Sequence, residues 1–419
     1  MKNMTSEKSF AAFIGIDWAD EEHAYSLAPA GSSRIERGRL QHTPEALHAW
    51  AEQLHKRFAG RPVAILLEQK RGALVWALQE HPFITLFPIN PLTSAKLRQA
   101  FFPSGAKSDP LDSDLLLDIL RHHRDRLRPF QLDDVQTRLL ERLTQDRRGA
   151  VEQRKSCVQQ ITAALKEYFP LALEVLGKLE CNLAARFLLK WATLEELQAA
   201  QPHLVRKFFH GNNGRFQIEQ RLKRIQQAQP LTSDPAIIEA GRRKVQMLAQ
   251  LIITLNEYIA DYQKRIETLF QRHPDRHIFQ SFPGAGAALA PRLIAAFGMD
   301  RSAFADALSV QNRSGIAPVR VSSGKTAIEK MRVVCPKFLR QTFHEFAATS
   351  VRYCAWARTY YQAKVAAGKK HHTIVRALAF KWIRIMWACW QNQQAYEETR
   401  YLRALSRSGS PFAVTLKKT

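Results

Sequence analysis

The chain has 419 residues and carries 62 Lys and Arg against 38 Asp and Glu, so its formal charge is +24 and its isoelectric point is near 10.1. Because 46% of its residues are hydrophobic, this composition indicates a folded protein of two or three domains whose partner is a polyanion. The five cysteines have neither the spacing of a zinc site nor that of a disulfide framework, which fits a reducing, cytoplasmic setting.

Residues 11 to 124 alternate between strand and helix patterns. The predicted strands are FIGIDWA, HAYSLAPA, SRIERGRL, PVAILLEQ and FITLFPIN, and the predicted helices are TPEALHAWAEQLHKRF, GALVWALQE, PLTSAKLRQAFF and DPLDSDLLLDILRHHR. Three strands, followed by strands that alternate with helices, are the order of a ribonuclease H-like α/β domain. In that fold the first strand carries an acid at its centre, the fourth strand ends in a second acid, and a later helix brings the rest.

Four carboxylates in this segment predict a metal site. Asp17 and Glu68 stand at the ends of apolar, β-rich runs, where an acid is costly to bury unless it is paired or binds a cation. Asp109 and Asp112 are one helical turn apart, so both project from one face of the predicted helix. Such hard oxygen donors suit two Mg²⁺ ions, with Mn²⁺ as the alternative, in phosphodiester cleavage. The combination predicts a nucleic-acid-cutting enzyme.

Each acid also has a purely structural interpretation, in a turn, an ion pair or a helix cap: Asp17 in a strand-ending turn, Glu68 with Lys70 or Arg71, and Asp109 in a first helical turn capped by Ser108. Asp20 and Asp114 are competing acids, although Asp114 lies on a different side of the helix from Asp112. The prediction of a metal site therefore depends on the whole set rather than on any one residue.

The middle of the chain is predicted to be helical. An earlier helix, roughly residues 139 to 168, has a heptad-like period that Arg147 and Arg154 interrupt. From Val245 onward, apolar residues alternate steps of three and four, which is typical of a coiled-coil seam: Leu248, Ile252, Leu255, Ile259, Tyr262, Ile266 and Leu269. These helices can pair within the chain or between chains, and pairing between chains is the preferred interpretation.

A second small domain is predicted to begin near Ile278. Its segment SFPGAGAALAPRLIAAFG contains a Pro-Gly-x-Gly turn that opens a helix, and free N–H groups at a helix start suit a DNA phosphate. The residues of this turn are Pro283, Gly284 and Gly286. Taken alone, such a pattern is more often an ordinary turn.

Two adjacent serines are candidates for a nucleophile. Ser322 and Ser323 precede Gly324 and Lys325, and the sequence predicts that they present a hydroxyl on a flexible, cationic loop. Most loops of this composition are only turns. Without further context, the serines are therefore weak candidates.

Positive charge is concentrated in the last quarter of the chain, where nineteen Lys and Arg stand against four Glu from Arg320 onward. Aromatic residues are mixed with these charges: Trp382, Trp387, Trp390, Tyr353, Tyr360 and Tyr361. The mixture favours nucleic-acid contact, with a membrane surface as the lesser alternative. Lys369 and Lys370 are candidates to grip nucleic acid or, equally, to form a solvated helix start.

No targeting or membrane-spanning segment is predicted. The N-terminal residues MKNMTSEKSF lack the apolar core of a signal peptide. The most apolar late stretch, FKWIRIMWACW, is interrupted by Lys381 and Arg384.

Taken in order, these motifs resemble the DEDD transposases of the bacterial insertion-sequence one-ten family, which are understood as bridge-RNA-guided DNA recombinases. The resemblance covers nearly the whole chain: GIDWADEEH, LLEQKRG and AKSDPLDSDLL in a RuvC-like domain, then a helical middle, then FPGAGAALAPRLIAAFG and NRSGIAPVRVSSGK in a transposase domain. It implies a catalytic domain at 11–127, a helical, coiled-coil region at 128–275, a mainly helical transposase domain at 276–400 and a basic tail at 401–419.

The resemblance also implies roles for particular residues. Asp17, Glu68, Asp109 and Asp112 would hold the metal, and Ser323, or Ser322 in its place, would attack DNA and form a covalent phosphoserine link. The implied partners are donor and target DNA, a structured guide RNA and further copies of this chain, as dimers that assemble into a tetramer.

Two other classes of function stay open at this point. The first is a hydrolytic, structure-selective endonuclease of the junction-resolvase kind, which would use the same acids and no serine. The second is an inactive protein that only binds DNA or RNA.

Overall fold

The computed structural model describes residues 9–101, 109–212, 214, 216–323 and 326–407. The chain forms two compact units, and the boundary between them falls after Leu132. The first unit is a mixed α/β domain, and the second is mostly helical.

All nine elements predicted between residues 11 and 124 are present in the first unit. In chain order they are β1 (Ala12–Asp17), β2 (Glu22–Pro29), β3 (Glu36–Gln41), α1 (Pro44–Arg57), β4 (Val63–Leu67), α2 (Ala73–Gln79), β5 (Ile84–Pro88), α3 (Pro91–Phe101) and α4 (Asp109–His122). A short 3₁₀ turn at Arg124–Arg126 follows. The prediction of a mixed α/β N-terminal domain is therefore confirmed.

The five strands form one sheet in the order β3-β2-β1-β4-β5. The pairs β1–β2 and β2–β3 are antiparallel, whereas β1–β4 and β4–β5 are parallel. Parallel strands need a crossover connection, and α1 and α2 provide it. Helices cover both faces of the sheet, so β4 at its centre is buried along its whole length.

Local sequence accounts for the start and end of α1. The Thr43 side chain caps the helix by accepting a hydrogen bond from the Ala46 amide, and Pro44 occupies the first turn, where no N–H is needed. Basic residues fill the last turn, where they complement the helix dipole. The buried residues Trp50 and Leu54 then face the sheet.

The other face of the sheet is covered by α4, which approaches β1 backbone to backbone at Gly15. A Cβ atom on Gly15 would collide with the Ser113 carbonyl oxygen and the Leu117 nitrogen, and would lie 2.9 Å from the Leu116 carbonyl carbon. Only glycine permits this approach. Leu116 and neighbouring apolar residues of α4 then pack against Leu66 of β4.

The second unit contains two long helices, a group of short helices and one hairpin. Its elements are α5 (Val135–Tyr168), α6 (Leu171–Leu176), α7 (Asn182–Lys190), α8 (Leu194–Ala199), α9 (Pro202–Gly211), α10 (Ile218–Gln227), α11 (Pro235–Arg272), α12 (Arg276–Gln280), α13 (Gly286–Phe297), α14 (Ala307–Arg313), β6 (Val319–Ser323), β7 (Thr326–Lys330), α15 (Lys337–Tyr353), α16 (Ala355–Ala366), α17 (His371–Gln391) and α18 (Glu398–Arg407). A 3₁₀ turn lies at Arg301–Ala303. Helix α18 runs across residue 400, where the basic tail was expected to begin.

The predicted heptad seam lies on α11 and pairs with α5 of the same chain. The two helices run antiparallel: Leu140 shares a core with Ile266, and Arg154 donates a hydrogen bond of 2.7 Å to the Asn256 side chain. Ile252 and Ile259 of the seam are buried. Because the seam is used within the chain, its periodicity gives no support to the preferred interpretation that it joins two chains.

The tryptophans of the C-terminal region form a core. Trp356, Trp382 and Trp390 are fully buried. Their indole N–H groups donate to protein acceptors; that of Trp382, for example, lies 2.8 Å from Ser350 Oγ. The suggestion that Trp382 and Trp390 contact nucleic acid is therefore wrong, because a buried ring has no free face for a base.

No helix in the described part of the chain is long and apolar enough to cross a membrane. The apolar stretch from Phe380 to Trp390 instead lies within α17, most of whose large side chains pack into the core of the second unit.

We expect Gly15→Ala to destabilise the protein by about 1–3 kcal/mol, because the added methyl group has to push α4 away from β1. Gly149→Ala is the matched control, since Gly149 lies in α5 with open space around it. That change should be neutral or stabilise by up to about 1 kcal/mol. Urea unfolding followed by circular dichroism measures both, and equal effects would refute the close contact.

Candidate functional site

Asp17 and Glu68 end neighbouring strands at the same edge of the sheet. In the parallel pair β1–β4, Ile16 lies beside Leu67, so the next residues are Asp17, the last of β1, and Glu68, directly after β4. Asp17 thus ends its strand rather than occupying the centre. Ile16 faces the core under α1 and α2, and side chains alternate along a strand, so Asp17 faces the α4 side.

Asp112 reaches this edge from α4. The next residue, Ser113, contacts Gly15, which is two positions before Asp17. The Asp112 side chain is only 6% exposed, and a carboxylate at that depth requires a compensating cation. Arg98 supplies one, with its Nε 2.7 Å from Asp112 Oδ1.

One face of α3 contacts two of the candidate acids. Ser94 and Arg98 are four residues apart and so lie on the same side of the helix. The Ser94 hydroxyl donates a hydrogen bond to Glu68 Oε1, while Arg98 pairs with Asp112. Neither residue was predicted as part of the site, although their spacing in a helix that directly follows a strand of this sheet was a usable signal.

The fourth acid, Asp109, is the first residue of α4, one turn before Asp112. Its side chain lies outside the described part of the structure, as does Ser108, the suggested cap. Among the described residues, no group of three or more His, Cys, Asp or Glu is arranged to hold a metal ion. The donor chemistry nevertheless fits Mg²⁺, because the residues at this edge offer carboxylate oxygens and buried Asp112 already attracts a cation.

The competing acids have other roles or positions. Asp114 accepts hydrogen bonds from Nε and Nη2 of Arg37, at distances down to 2.8 Å, and one of 2.6 Å from the Ser26 hydroxyl. These contacts tie α4 to β2 and β3. Asp20 is exposed in the turn that follows β1. Asp114 is therefore a structural acid, as its position on the helix suggested.

A buried histidine holds the turn that follows Asp17. The Ala19 amide donates a hydrogen bond of 3.2 Å to His23 Nδ1, which requires a lone pair there and places the ring proton on Nε2. That proton is donated to His42 Nδ1 at 2.8 Å. Burial, and to a lesser extent the neighbouring His42, lowers the pKa of His23 from 6.5 to about 4. His23 is therefore neutral at pH 7.

The candidate serines lie on a hairpin rather than on the predicted flexible loop. Ser322 and Ser323 are the last residues of β6, which pairs with β7 in antiparallel register, so Ser323 lies opposite Thr326. Ser322 is exposed. The side chain of Ser323 and the whole of Gly324 and Lys325 lie outside the described residues.

The Pro-Gly-x-Gly turn does open a helix, α13, as predicted. Gly284 has a φ of +83°, and a Cβ there would lie 2.8 Å from the Tyr353 ring and 3.2 Å from Thr349. Gly284 is therefore required by packing against α15. Gly286, with a φ of +53°, is exposed and faces open space. Pro283 is partly buried.

Lys369 and Lys370 are exposed at the start of α17, and Lys370 is its N-cap residue. Neither the contacts of these lysines nor those of the turn identify a ligand. Their assignment to nucleic acid stays a prediction.

Two transposase family models match the chain. One, described as a transposase and named for the DEDD acids and IS110, covers residues 14–170, and the other, described as transposase of the IS116/IS110/IS902 family, covers residues 276–362. The first range contains all four candidate acids, and the second contains the hairpin with the two serines. The chain belongs to the IS110 family of transposases.

Similar proteins extend over nearly the full length of this transposase. The mini-circle putative transposase for IS117 of Streptomyces coelicolor is 28% identical and aligns over 96% of this chain and 100% of its own. The IS900 uncharacterized 42 kDa protein of Mycobacterium paratuberculosis is 26% identical and aligns over 86% of this chain and 96% of its own. The IS110 uncharacterized 43.6 kDa protein of Streptomyces coelicolor is 24% identical and aligns over 94% of this chain and 97% of its own.

Membership in this family makes the chain an enzyme that cleaves DNA and transfers its strands. The matches confirm the family that the sequence motifs resemble and the predicted DNA partner. They do not assign a role to any single residue.

We expect protonation of His23 to destabilise the first unit. The pKa of His23 is near 4 in the folded state and near 6.5 in the unfolded state. The contribution of neutral His23 to the free energy of unfolding is therefore fully present above pH 6.5, and it is lost as the pH falls from 6.5 towards 4. Urea unfolding between pH 4 and 7 should show a shallower pH dependence in His23→Gln than in the unsubstituted protein. The exposed His203→Gln is the control, and an identical pH profile for all three proteins would contradict this assignment.

Proposed function

We propose that this transposase cuts and rejoins the DNA of its own insertion sequence, using a four-carboxylate Mg²⁺ site and a serine nucleophile. The observation that carries the proposal is the meeting of β1, β4 and α4 at one sheet edge, which brings Asp17, Glu68 and the buried Asp112 to that edge. The sheet order β3-β2-β1-β4-β5 supports a ribonuclease H-like, RuvC-like domain as the carrier of this site.

Asp17, Glu68, Asp109 and Asp112 are the proposed metal ligands. When bound, Mg²⁺ polarises the scissile phosphate and stabilises the departing oxygen. The protein contributes by holding its carboxylates in place: Ser94 orients Glu68, and the contact of α4 with β1 fixes Asp112. Arg98 neutralises Asp112 in the structure, so a metal ion held by this carboxylate would replace Arg98 as its cation.

Ser323 is the proposed nucleophile, with Ser322 as the alternative. The serine oxygen forms a bond to phosphorus while the bond from phosphorus to the departing strand's oxygen breaks, and the serine proton is passed to that oxygen. In the second step a hydroxyl of another strand attacks the phosphoserine and releases the serine. The phosphodiester energy is retained, so joining needs no further cofactor. The position of the serines at the end of β6 supports this role, because a strand in a hairpin is held more firmly than a free loop.

The choice of target is proposed to lie with a structured guide RNA that pairs with donor and target DNA, as the family resemblance implies. The fifteen excess positive charges after residue 319 support contact with nucleic-acid backbones, which carries no sequence information by itself. Assembly of dimers into a tetramer completes the proposal, in a cytoplasmic setting.

The covalent link distinguishes the proposed mechanism from simple hydrolysis. The purified protein is incubated with Mg²⁺, RNA transcribed from the flanking DNA and labelled donor DNA, and is then denatured and examined for labelled protein. We expect an adduct that is lost in Ser323→Ala, because the nucleophile is gone, and in Asp17→Asn, because a metal ligand is weakened. Ser322→Ala is the matched control and should retain the adduct.

Each alternative result has a definite meaning. An adduct that persists in Ser323→Ala and disappears in Ser322→Ala would move the nucleophile by one residue. Cut ends without an adduct would replace the proposal with a hydrolytic, RuvC-like nuclease that uses the acids alone. DNA binding without cutting, in the unsubstituted protein, would leave only a binding role.

Metal binding has a readout that does not depend on cleavage. A ligand that binds the folded state at a hundred times its Kd stabilises it by about 2.7 kcal/mol, so Mg²⁺ should raise the melting temperature of the protein. Asp112→Asn should remove this increment. Asp114→Asn is the control two residues away, and its Mg²⁺ increment should be unchanged because Asp114 pairs with Arg37 instead. An equal increment in both variants would exclude Asp112 as a ligand.

A further inference from the structure

A cavity of about 480 Å³ lies beside α15 in the second unit. Its charged and titratable lining residues are Lys337, Arg340, His344, Glu345 and Arg376, which come from α15 and α17. Nothing in the cutting chemistry proposed above uses this cavity.

Two of the cations that line the cavity make few contacts with the described part of the chain. The Lys337 ammonium is exposed and makes no ion pair or hydrogen bond with any described residue. The Arg376 guanidinium makes, within the described part of the chain, a single hydrogen bond, of 3.1 Å to the thioether sulfur of Met331. A thioether is a weak acceptor, so most of the five N–H donors of Arg376 are available to a ligand.

The one acid in the lining does not cancel these charges. Glu345 Oε2 lies 2.6 Å from Arg292 Nη1, and its Oε1 lies 3.2 Å from Arg148 Nη1. Arg292 is buried, so its contact with Glu345 persists whatever enters the cavity. Two guanidinium groups outside the lining therefore neutralise Glu345, and the cavity keeps its positive potential.

Arg340, unlike Lys337 and Arg376, donates hydrogen bonds to backbone carbonyl oxygens. Its Nη2 donates to the carbonyl oxygens of Arg332 and Val333, at 2.5 and 3.1 Å, and contacts Cys335 Sγ. These residues follow β7, so Arg340 fastens the base of the hairpin to the cavity wall. Gly315 makes this possible, because a Cβ there would lie 2.9 Å from Cys335 Cβ and 3.0 Å from the Arg340 guanidinium.

His344 contributes hydrogen-bonding capacity rather than charge. Burial first, and then the neighbouring His372, Arg376 and His371, lower the pKa of His344 below its ordinary value of 6.5. Glu345 opposes these effects by raising the pKa. A neutral imidazole beside two free cations offers one N–H donor at pH 7.

We propose that this cavity binds one phosphate of a nucleic-acid backbone, with Arg376 as the forked donor and Lys337 as the point charge. Guanidinium pairs with phosphate through two parallel hydrogen bonds, and an ammonium group adds charge without fixed geometry. The volume of about 480 Å³ accommodates a phosphate with its neighbouring sugars.

The position of the cavity relates this phosphate to the hairpin. Arg376 contacts Met331, directly after β7, whereas Ser323 lies at the far end of the hairpin. Ser323 and Val319 are four residues apart along β6, a distance of about 13 Å at about 3.3 Å per residue. In a double helix, a distance of about 13 Å along the axis corresponds to roughly four nucleotides, because each nucleotide rises by about 3.4 Å. The bound phosphate therefore belongs to a strand that runs beside the hairpin, several nucleotides from its tip.

Salt-dependent binding tests the proposal directly. The full chain, without Mg²⁺, is titrated with a labelled DNA duplex and, separately, with a labelled RNA hairpin over a range of salt concentrations. We expect Lys337→Gln and Arg376→Gln each to weaken binding about 3- to 10-fold and to lower the slope of log K against log salt by up to about 0.9 for the duplex. The double variant should lower the slope by no more than about 0.9 in total, since both side chains contact the same phosphate.

Two kinds of control accompany these variants. Lys223→Gln and Arg272→Gln remove the same charge from exposed residues of α10 and α11 that have no partner among the described residues, and should leave the affinity nearly unchanged. Arg376→Lys keeps the charge but loses the fork, and should weaken binding while it preserves the slope. Circular dichroism melts verify that each variant is folded.

The outcomes separate the possibilities. A change confined to the duplex assigns the phosphate to DNA, and one confined to the hairpin assigns it to RNA; either supports the site. Equal affinities and slopes for the cavity variants and the two charge controls would overturn it. Because no cleavage is measured, these results are independent of whether Ser323 forms the proposed covalent link.

Discussion

The contact between the backbone of α4 and the backbone of β1 is the constraint on which the candidate metal site depends. It exists because residue 15 has no side chain, so the Ser113 carbonyl can approach the strand directly. A helix held at this distance brings Asp112 to the edge where Asp17 ends its strand. Any larger residue at position 15 would move the helix carboxylate relative to the strand carboxylate. Metal chemistry tolerates such a shift poorly, because its ligand distances are fixed to a few tenths of an ångström.

Burial then dictates the charge balance at that edge. Removing Asp112 from water costs several kcal/mol unless a cation lies against it, and Arg98 provides that cation at 2.7 Å. If the proposal is right, this carboxylate would have two requirements: it would have to be stable before metal arrives and would have to release Arg98 when metal binds. An arginine that is still 26% exposed suits this, since its side chain can swing into water at little cost. Ser94, which donates to Glu68 from the same face of α3, needs no such displacement.

The sequence predicted the first unit well because its signals are local. Alternation of apolar and polar residues, apolar runs and the Thr43 cap each specify an element without reference to distant residues. All nine predicted elements are present. The errors concern partners that lie far away in the chain. The heptad period predicts the seam on α11, but it does not reveal that α5 of the same chain covers that seam. The composition around Trp382 suggests nucleic-acid contact, because composition does not reveal that this side chain is buried. The Ser-Ser-Gly-Lys composition predicts a loop at Ser323, but the antiparallel pairing of β6 with β7 holds this residue in a strand.

Contacts with residues far away in the chain also determine which of the positive charges are available to a partner. A net excess describes the partner in general terms, but it does not say which cations are available, because many arginines in this protein are engaged in internal pairs. Arg292 and Arg148 both contact Glu345, and Arg340 donates to backbone carbonyl oxygens, so each of them already has a strong acceptor inside the protein. Among the described residues, Lys337 has no ion-pair or hydrogen-bond partner, and Arg376 has only the weak acceptor of Met331. In a chain with 62 basic residues, counting charge does not identify the side chains that would bind a polyanion. Lys337 and Arg376 are distinguished from exposed cations such as Lys223 because they line one cavity together.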